Sequence, residues 1–180
     1  MKKLTHRFGL IGATLTSLLI VGCLLSGTFV VSMLFKDFPV AGSDDFYYFD
    51  VDVTSDDVWT DHKDNIKDID NIGFELWVTN ASGVANTYNC YVAPITSSLS
   101  SLSSKSEVVA GATKVLEIPL AATGQTFIGY ADSFSHLTNL EALKALAESG
   151  QFKFFAMSDA TPTDFAVDSI LVVITITVGT

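Results

Sequence analysis

The residues best able to do chemistry in this chain are the carboxylates of residues 50–64: Asp50, Asp52, Asp56, Asp57, Asp61 and Asp64, with His62 among them. Hard cations such as Ca2+ take about six to eight oxygen ligands, and Asp side chains on adjoining strand and helix ends can supply several of these. Asp50, Asp52, Asp56 and Asp57 are the candidate metal ligands. Two functions would follow, a passive Ca2+-stabilised domain or a metal-assisted hydrolase in which His62, set between carboxylates, carries a proton. Other features weigh against both. The D-x-D-x-D-G loop of an EF-hand is absent, no nucleophile or orienting partner can be assigned, and the three His residues are too scattered for metal-ligand spacing. The simpler reading is a solvated strand face running into an acidic helix start, and the sequence favours it.

Other chemistry finds less support. There is no G-x-S-x-G or S-x-x-K element and no phosphate-cradling Gly-rich loop. Catalysis and an obligatory cofactor are therefore not expected. Tyr47, Tyr48, Tyr88 and Tyr91 can form an exposed strip that binds sugars or protein strands, or they can pack at sheet edges. Cys90 lies in a strand-like stretch and reads as a buried free thiol. No zinc or CxxC spacing exists, so the fold needs an apolar core without covalent staples.

Charge is distributed unevenly. Lys2, Lys3, Arg7 and Lys36 lie in the first 36 residues, whereas every acidic residue lies at Asp37 or later. Without residues 1–22 the chain holds seven Lys against twenty carboxylates, a formal charge of −13. Such a surface repels nucleic acid and anionic headgroups.

The N-terminus reads as an address. A basic stretch, residues 1–7, precedes an uncharged apolar run, residues 8–22, with the length of a signal-peptide core. The run leads into Ile20-Val21-Gly22-Cys23, which resembles the bacterial lipobox. That resemblance implies cleavage after Gly22 and lipidation of Cys23. The alternative is an uncleaved transmembrane anchor, residues 8–35, because the uncharged stretch continues to Phe35 and exceeds the roughly 20 residues needed to cross a bilayer. Basic residues on its N-terminal side would hold that end in the cytoplasm. Both readings predict a domain tethered to a membrane and facing outside the cytoplasm. They differ over residues 28–38, which are either the first strand of the domain or the second half of a helix.

The positioning elements follow from periodicity. Residues 46–54 alternate as a strand, with Phe49, Val51 and Val53 on one face. Residues 55–70 switch to helical spacing through Val58, Trp59, His62, Ile66 and Ile69, predicting a helix of three to four turns with Ser55 as its cap. Strands are expected over 74–80 and 87–93, then a flexible Ser-rich loop over 95–106. A hairpin is expected from 113–120 and 125–130 around the turn at 121–124. Thr138-Asn-Leu-Glu141 reads as a capping box opening a second helix that Gly150 ends. Strands over 151–157 and 168–178 complete the set.

The expected architecture is mainly β: an antiparallel β-sandwich over residues 28–180 with two short capping helices, preceded by an N-terminal signal or anchor helix. The run from Trp59 to Phe74, with the closing run from Asp168 to Val178, resembles a group of uncharacterised exported bacterial proteins. These are small and lipoprotein-like, and the resemblance implies a β-sandwich and an envelope address but no activity. The functional expectation is a membrane-tethered binding or structural module of the cell envelope. Its partner would meet a sheet edge by strand addition or an exposed apolar patch, and nucleic acid would not be a partner.

Overall fold

The computed structural model describes residues 27–41, 46–158 and 164–179. The expected signal segment, Cys23, residues 8–26 of the alternative anchor and the loop at 159–163 lie outside the described residues, whereas residues 27–35 of that anchor are strand and not helix. Eight strands form the body: β1 Gly27–Ala41, β2 Phe46–Asp52, β3 Ile66–Asn80, β4 Asn86–Pro94, β5 Thr113–Leu120, β6 Gly124–Ile128, β7 Gln151–Ser158 and β8 Asp164–Val178. Among the described residues four short helices connect them: α1 Asp57–His62, α2 Lys105–Gly111, α3 Tyr130–Ser133 and α4 Leu140–Glu148.

The strands form two antiparallel four-stranded sheets. Sheet A has the order β1-β8-β3-β6 and sheet B the order β2-β7-β4-β5. Successive strands cross between the sheets except β4 and β5, which pair with each other. The chain is thus a β-sandwich, and this strand order is that of a jelly roll. Inward-facing residues interdigitate between the sheets, among them Val31, Leu76, Ile118, Ile174 and Ile176, all fully buried. An apolar cavity of about 60 Å³ remains between them, lined by Met33, Phe35, Phe49, Phe74, Leu143 and Phe154 among others.

Residues 28–38 lie in β1, which runs along one edge of sheet A and pairs with β8 from Gly27 opposite Val178 to Ala41 opposite Asp164. Alternation explains the choice: Phe29, Val31, Met33 and Phe35 turn inward while Thr28, Val30, Ser32, Leu34 and Lys36 turn out. Pro39 continues this edge strand, where a missing N–H is tolerated.

Three expectations need correction. The helix expected over 55–70 is only α1 with a short 3-10 turn on each side, and Ile66 and Ile69 belong to β3. The hairpin of β5 and β6 does not form, since β5 pairs with β4 and β6 with β3, in opposite sheets. The Ser-rich segment expected to be a flexible loop contains α2, closed at its start by a full capping box between Ser104 and Glu107. The helix near 140 is present as α4, but Asn139 occupies its N-cap without a side-chain cap. Thr138 instead donates its hydroxyl to the Lys114 carbonyl at 3.0 Å. Gly150 ends α4 as expected, with φ at +85°.

Candidate functional site

Three carboxylates of the acidic segment, those of Asp50, Asp52 and Asp56, are occupied locally. Asp52 caps the 3-10 turn Val53–Ser55: its Oδ1 accepts from the Thr54 amide at 2.9 Å and the Thr54 hydroxyl at 2.5 Å, and its Oδ2 from Gln151 Nε2 at 2.9 Å. The Thr54 hydroxyl, followed by the Gln151 amide, holds the Asp52 carboxyl below its ordinary pKa. Asp56 caps α1 by accepting from the amides of Val58 at 2.8 Å and Trp59 at 3.3 Å. Asp50 accepts from the Tyr48 hydroxyl at 2.6 Å, and that bond pushes the phenol up to about 12.

Asp57, Asp61 and Asp64 are exposed. His62 is half-buried and its ring lies 4.0 Å from that of Phe29. A hollow of about 350 Å³ beside α1 takes only Asp64 from the cluster, together with Lys63 and Glu148. Among the described residues no three His, Cys, Asp or Glu side chains stand close enough together to hold a metal ion. Asp50, Asp52, Asp56 and Asp57 are not gathered around one point. His136 shares a hydrogen bond with the Glu117 carbonyl at 3.1 Å, away from that segment.

The tyrosines do not form an exposed strip. Tyr88 and Tyr91 are buried, and Tyr47 and Tyr48 are half-buried. Cys90 is fully buried, and burial raises its thiol well above the ordinary range. Tyr88, its hydrogen-bonded neighbour, is raised the same way.

The site that stands out is the outer face of sheet A. Register places Leu34 opposite Leu171, Ser32 opposite Val173 and Val30 opposite Thr175 across β1 and β8. On the other side of β8, Leu171 lies opposite Glu75 and Ser169 opposite Trp77 of β3, and Trp77 in turn lies opposite Phe127 of β6. Trp77 and Phe127 stack with ring centroids 4.4 Å apart. Both are open to solvent, at 41% and 48%, as are Val30 at 53% and Leu34 at 56%.

Where β6 stops, α3 continues the edge. The Ser133 hydroxyl donates to the Tyr130 carbonyl at 2.7 Å and accepts from the Phe74 amide at 3.2 Å. This brings the Tyr130 ring over Gly73, where a Cβ would sit 2.5 Å from a ring carbon. Only glycine admits that ring, which with Phe134 extends the aromatic surface beside Val173.

The sequence held a usable signal for this face. In a strand over 74–80, alternation puts the apolar Phe74, Leu76 and Val78 on one face and Trp77 on the other, and a large aromatic in a solvent slot is informative. Val30 and Leu34 gave the same signal only once residues 28–38 were taken as a strand.

No protein-family model matches the chain, and no curated protein matches it in sequence. Solved structures similar to it include that of Desmodium yellow mottle tymovirus, at 8% identity over 86% of this chain and 83% of that one, with a TM-score of 0.37. A chain of Cocksfoot mottle virus is similar at 11% identity over 86% and 95%, with a TM-score of 0.43. Dimeric latent PorU from Porphyromonas gingivalis is similar at 9% identity over 84% of this chain and 13% of that one, with a TM-score of 0.35. Among the described residues, no helix is long and apolar enough to cross a membrane.

Proposed function

We propose that this chain is a membrane-tethered, extracytoplasmic binding or structural module of the bacterial cell envelope that works without catalysis. One observation carries the binding role: among the described residues, exposed apolar side chains stand on three strands of sheet A, the stacked Trp77 and Phe127 on β3 and β6 and Val30 and Leu34 on β1, with Leu171 and Val173 of β8 half-buried between them. Large exposed apolar side chains grouped on one face mark interaction sites, as singly scattered ones do not. The tether rests on the basic start, the apolar run and Ile20-Val21-Gly22-Cys23. The dispersed carboxylates support a non-catalytic role, since a hydrolase needs its acidic groups to converge on a reacting atom.

The test is the intact mass and N-terminal identity of the full chain recovered from fractionated bacterial cells. A membrane-bound chain that begins at lipidated Cys23, or one that still begins at Met1, supports the tether and separates its two forms. A chain found in the cytosol with residues 1–22 intact would overturn it.

A further inference from the structure

We infer that the Trp77 end of the outer face of sheet A receives a basic side chain, arginine or lysine, presented by an apolar-rich polypeptide segment of a partner protein. The inference deepens the binding role proposed above, rests on it, and is independent of the tether.

The register builds the receptor. Trp77 of β3 stacks on Phe127 of β6, and at 41% and 48% exposure neither ring is closed off by the stack. An aromatic ring attracts a cation held within about 6 Å of its centroid, and a guanidinium can also stack on it. Carboxylates frame the pair. Glu75 is the next outward position on β3, about 7 Å along the strand from Trp77, and holds no ion pair among the described residues. On the other side, Asp168 accepts from the Thr79 hydroxyl at 3.1 Å and from Gln125 Nε2 at 2.9 Å. Both bonds end on Oδ2, which fixes the carboxylate and leaves Oδ1 for an incoming donor. Open aromatic rings between two carboxylates attract a cation and repel an anion.

The rest of the face keeps the same sign. On the strands of sheet A the described charged side chains are Lys36 and Lys67 against Asp68, Asp70, Glu75, Asp164 and Asp168. Lys36 lies opposite Ser169, which in turn lies opposite Trp77, so two strand spacings, roughly 10 Å, separate that lysine from the aromatic pair. Asp70, which accepts from the Thr177 hydroxyl at 2.7 Å, and exposed Asp68 make the far end acidic as well. A second copy of the chain and an anionic bilayer would both meet like charge here, whereas a basic segment meets its complement.

Extent points to a polypeptide. Leu171 lies opposite Glu75, and Leu34 opposite Leu171, so the row beside the aromatic pair continues as apolar side chains to the edge strand. A lone ammonium would use only the aromatic end. A segment that follows its basic residue with apolar ones also covers Leu171 and Leu34, and removes their surface from water in the same event.

The test titrates the full chain, held in neutral detergent, with a short peptide repeating Arg-Arg-Leu-Leu. Each face of that peptide, when extended, carries both residue types. Trp59 is buried, so a blue shift in tryptophan emission reports the covering of Trp77, and titration calorimetry gives the affinity. Glu75→Gln with Asp168→Asn should weaken binding about tenfold, and Trp77→Ala at least as much. Asp57→Asn with Asp61→Asn removes the same charge from exposed positions on α1 and should change it by less than about twofold.

Equal losses from the two double neutralisations would reduce the binding to net charge and overturn the inference. Equal affinity for a Ser-Ser-Leu-Leu repeat would overturn the basic partner and leave the binding role standing. A blue shift on adding phosphatidylcholine to the micelles without peptide would give the face to lipid. One that follows protein concentration alone would give it to a second copy, and either overturns the inference. Neither shift nor heat with any addition would overturn it and remove the observation that carries the binding role, while the tether is still judged by fractionation.

Discussion

The outer faces of the two sheets start from similar strands and end differently. Each presents apolar side chains in the outward slots: Val30, Leu34, Trp77 and Phe127 on sheet A, and Phe46, Tyr48, Tyr91, Phe155 and Met157 on sheet B. On sheet B the segment between β4 and β5 folds back and covers them. Leu99, Val108 and Ala112 pack onto Tyr91, Phe155 and Met157 in a second small core, and Phe155 is fully buried. Two lysines pin this cover. Lys153 Nζ donates to the carbonyls of Ser97 and Leu99, each at 2.7 Å, and Lys105 Nζ donates to the Ser158 carbonyl. Among the described residues, sheet A has no comparable cover over Val30, Leu34, Trp77 and Phe127. A strand's outward apolar residues therefore say only that something must cover them; the chain between strands decides whether the cover is its own.

The largest test of this contrast truncates one aromatic on each face. Phe155→Ala empties a packed site between Phe46, Tyr48 and the cover, and should cost about 3–5 kcal/mol in unfolding free energy. Trp77→Ala removes a side chain that keeps much of its exposure, and should cost about 1 kcal/mol. Urea titration of both variants, followed through the buried Trp59, measures the difference. Equal costs would mean that the face of sheet A is packed in solution within a single chain, and the contrast would fail.

Next in size is release of the cover itself. Lys153→Met keeps the apolar stem but removes the ammonium that serves the carbonyls of Ser97 and Leu99. Hydrogen bonds to a charged group are among the stronger ones, so a loss of about 2 kcal/mol is expected. Amide exchange should speed up across residues 95–112 and change little in β3 and β8. A uniform acceleration through both sheets would mean that the cover and the sandwich unfold as one unit.

Ser104→Ala acts on the same cover at its helix start. The Ser104 hydroxyl and the Glu107 carboxylate serve each other's backbone amides, at 3.3 and 2.6 Å. Losing the cap should cost about 1 kcal/mol, again read by exchange confined to α2. This helix was hidden in the sequence, because Ser104-Lys-Ser-Glu107 stands within a run of serines where an S-x-x-E pattern does not stand out. Composition argued for a flexible loop and hid the two residues, Leu99 and Val108, that give the segment its packing face. At Thr138 the opposite happened: the same pattern was present, yet the Lys114 carbonyl captured the Thr138 hydroxyl. A tertiary acceptor decided between two equal local signals.

The start of β3 was misread for a related reason. Ile66, Ile69 and Ile72 recur every three residues, which suits a helix, but the pairing with β8 slips between Ile66 and Asp68 and again between Ile69 and Asn71. Each bulge inserts one residue and keeps the next isoleucine facing inward, so a strand period of two is stretched to three. Strands without such slips, β2, β7 and most of β8, were legible from alternation alone. The crossing of β5 and β6 into opposite sheets was not, because a turn at 121–124 looks the same whether it closes a hairpin or bridges the sandwich.

The smallest effects are expected at the acidic margin of sheet B, where Asp50 and Asp52 lie on the outer side of β2, on the same sheet as the covering segment. These carboxylates already serve Tyr48, Thr54 and Gln151, so millimolar Ca2+ or a chelator should move the melting temperature by less than about 1 °C. A rise of several degrees with Ca2+, abolished by Asp52→Asn, would restore the metal site that the sequence suggested. The proton provides the second arm. Asp52 is held below its ordinary pKa, so its contribution is present above about pH 4, the unfolded carboxylate value, and is lost as pH falls through the lower folded value. Asp52→Asn should therefore flatten the acid limb of the stability profile below about pH 4 and leave the neutral region nearly parallel to the parent. If the limb stays as steep, Asp52 is not among the groups that drive it, and the cap at the end of β2 matters only for the geometry of the turn into α1.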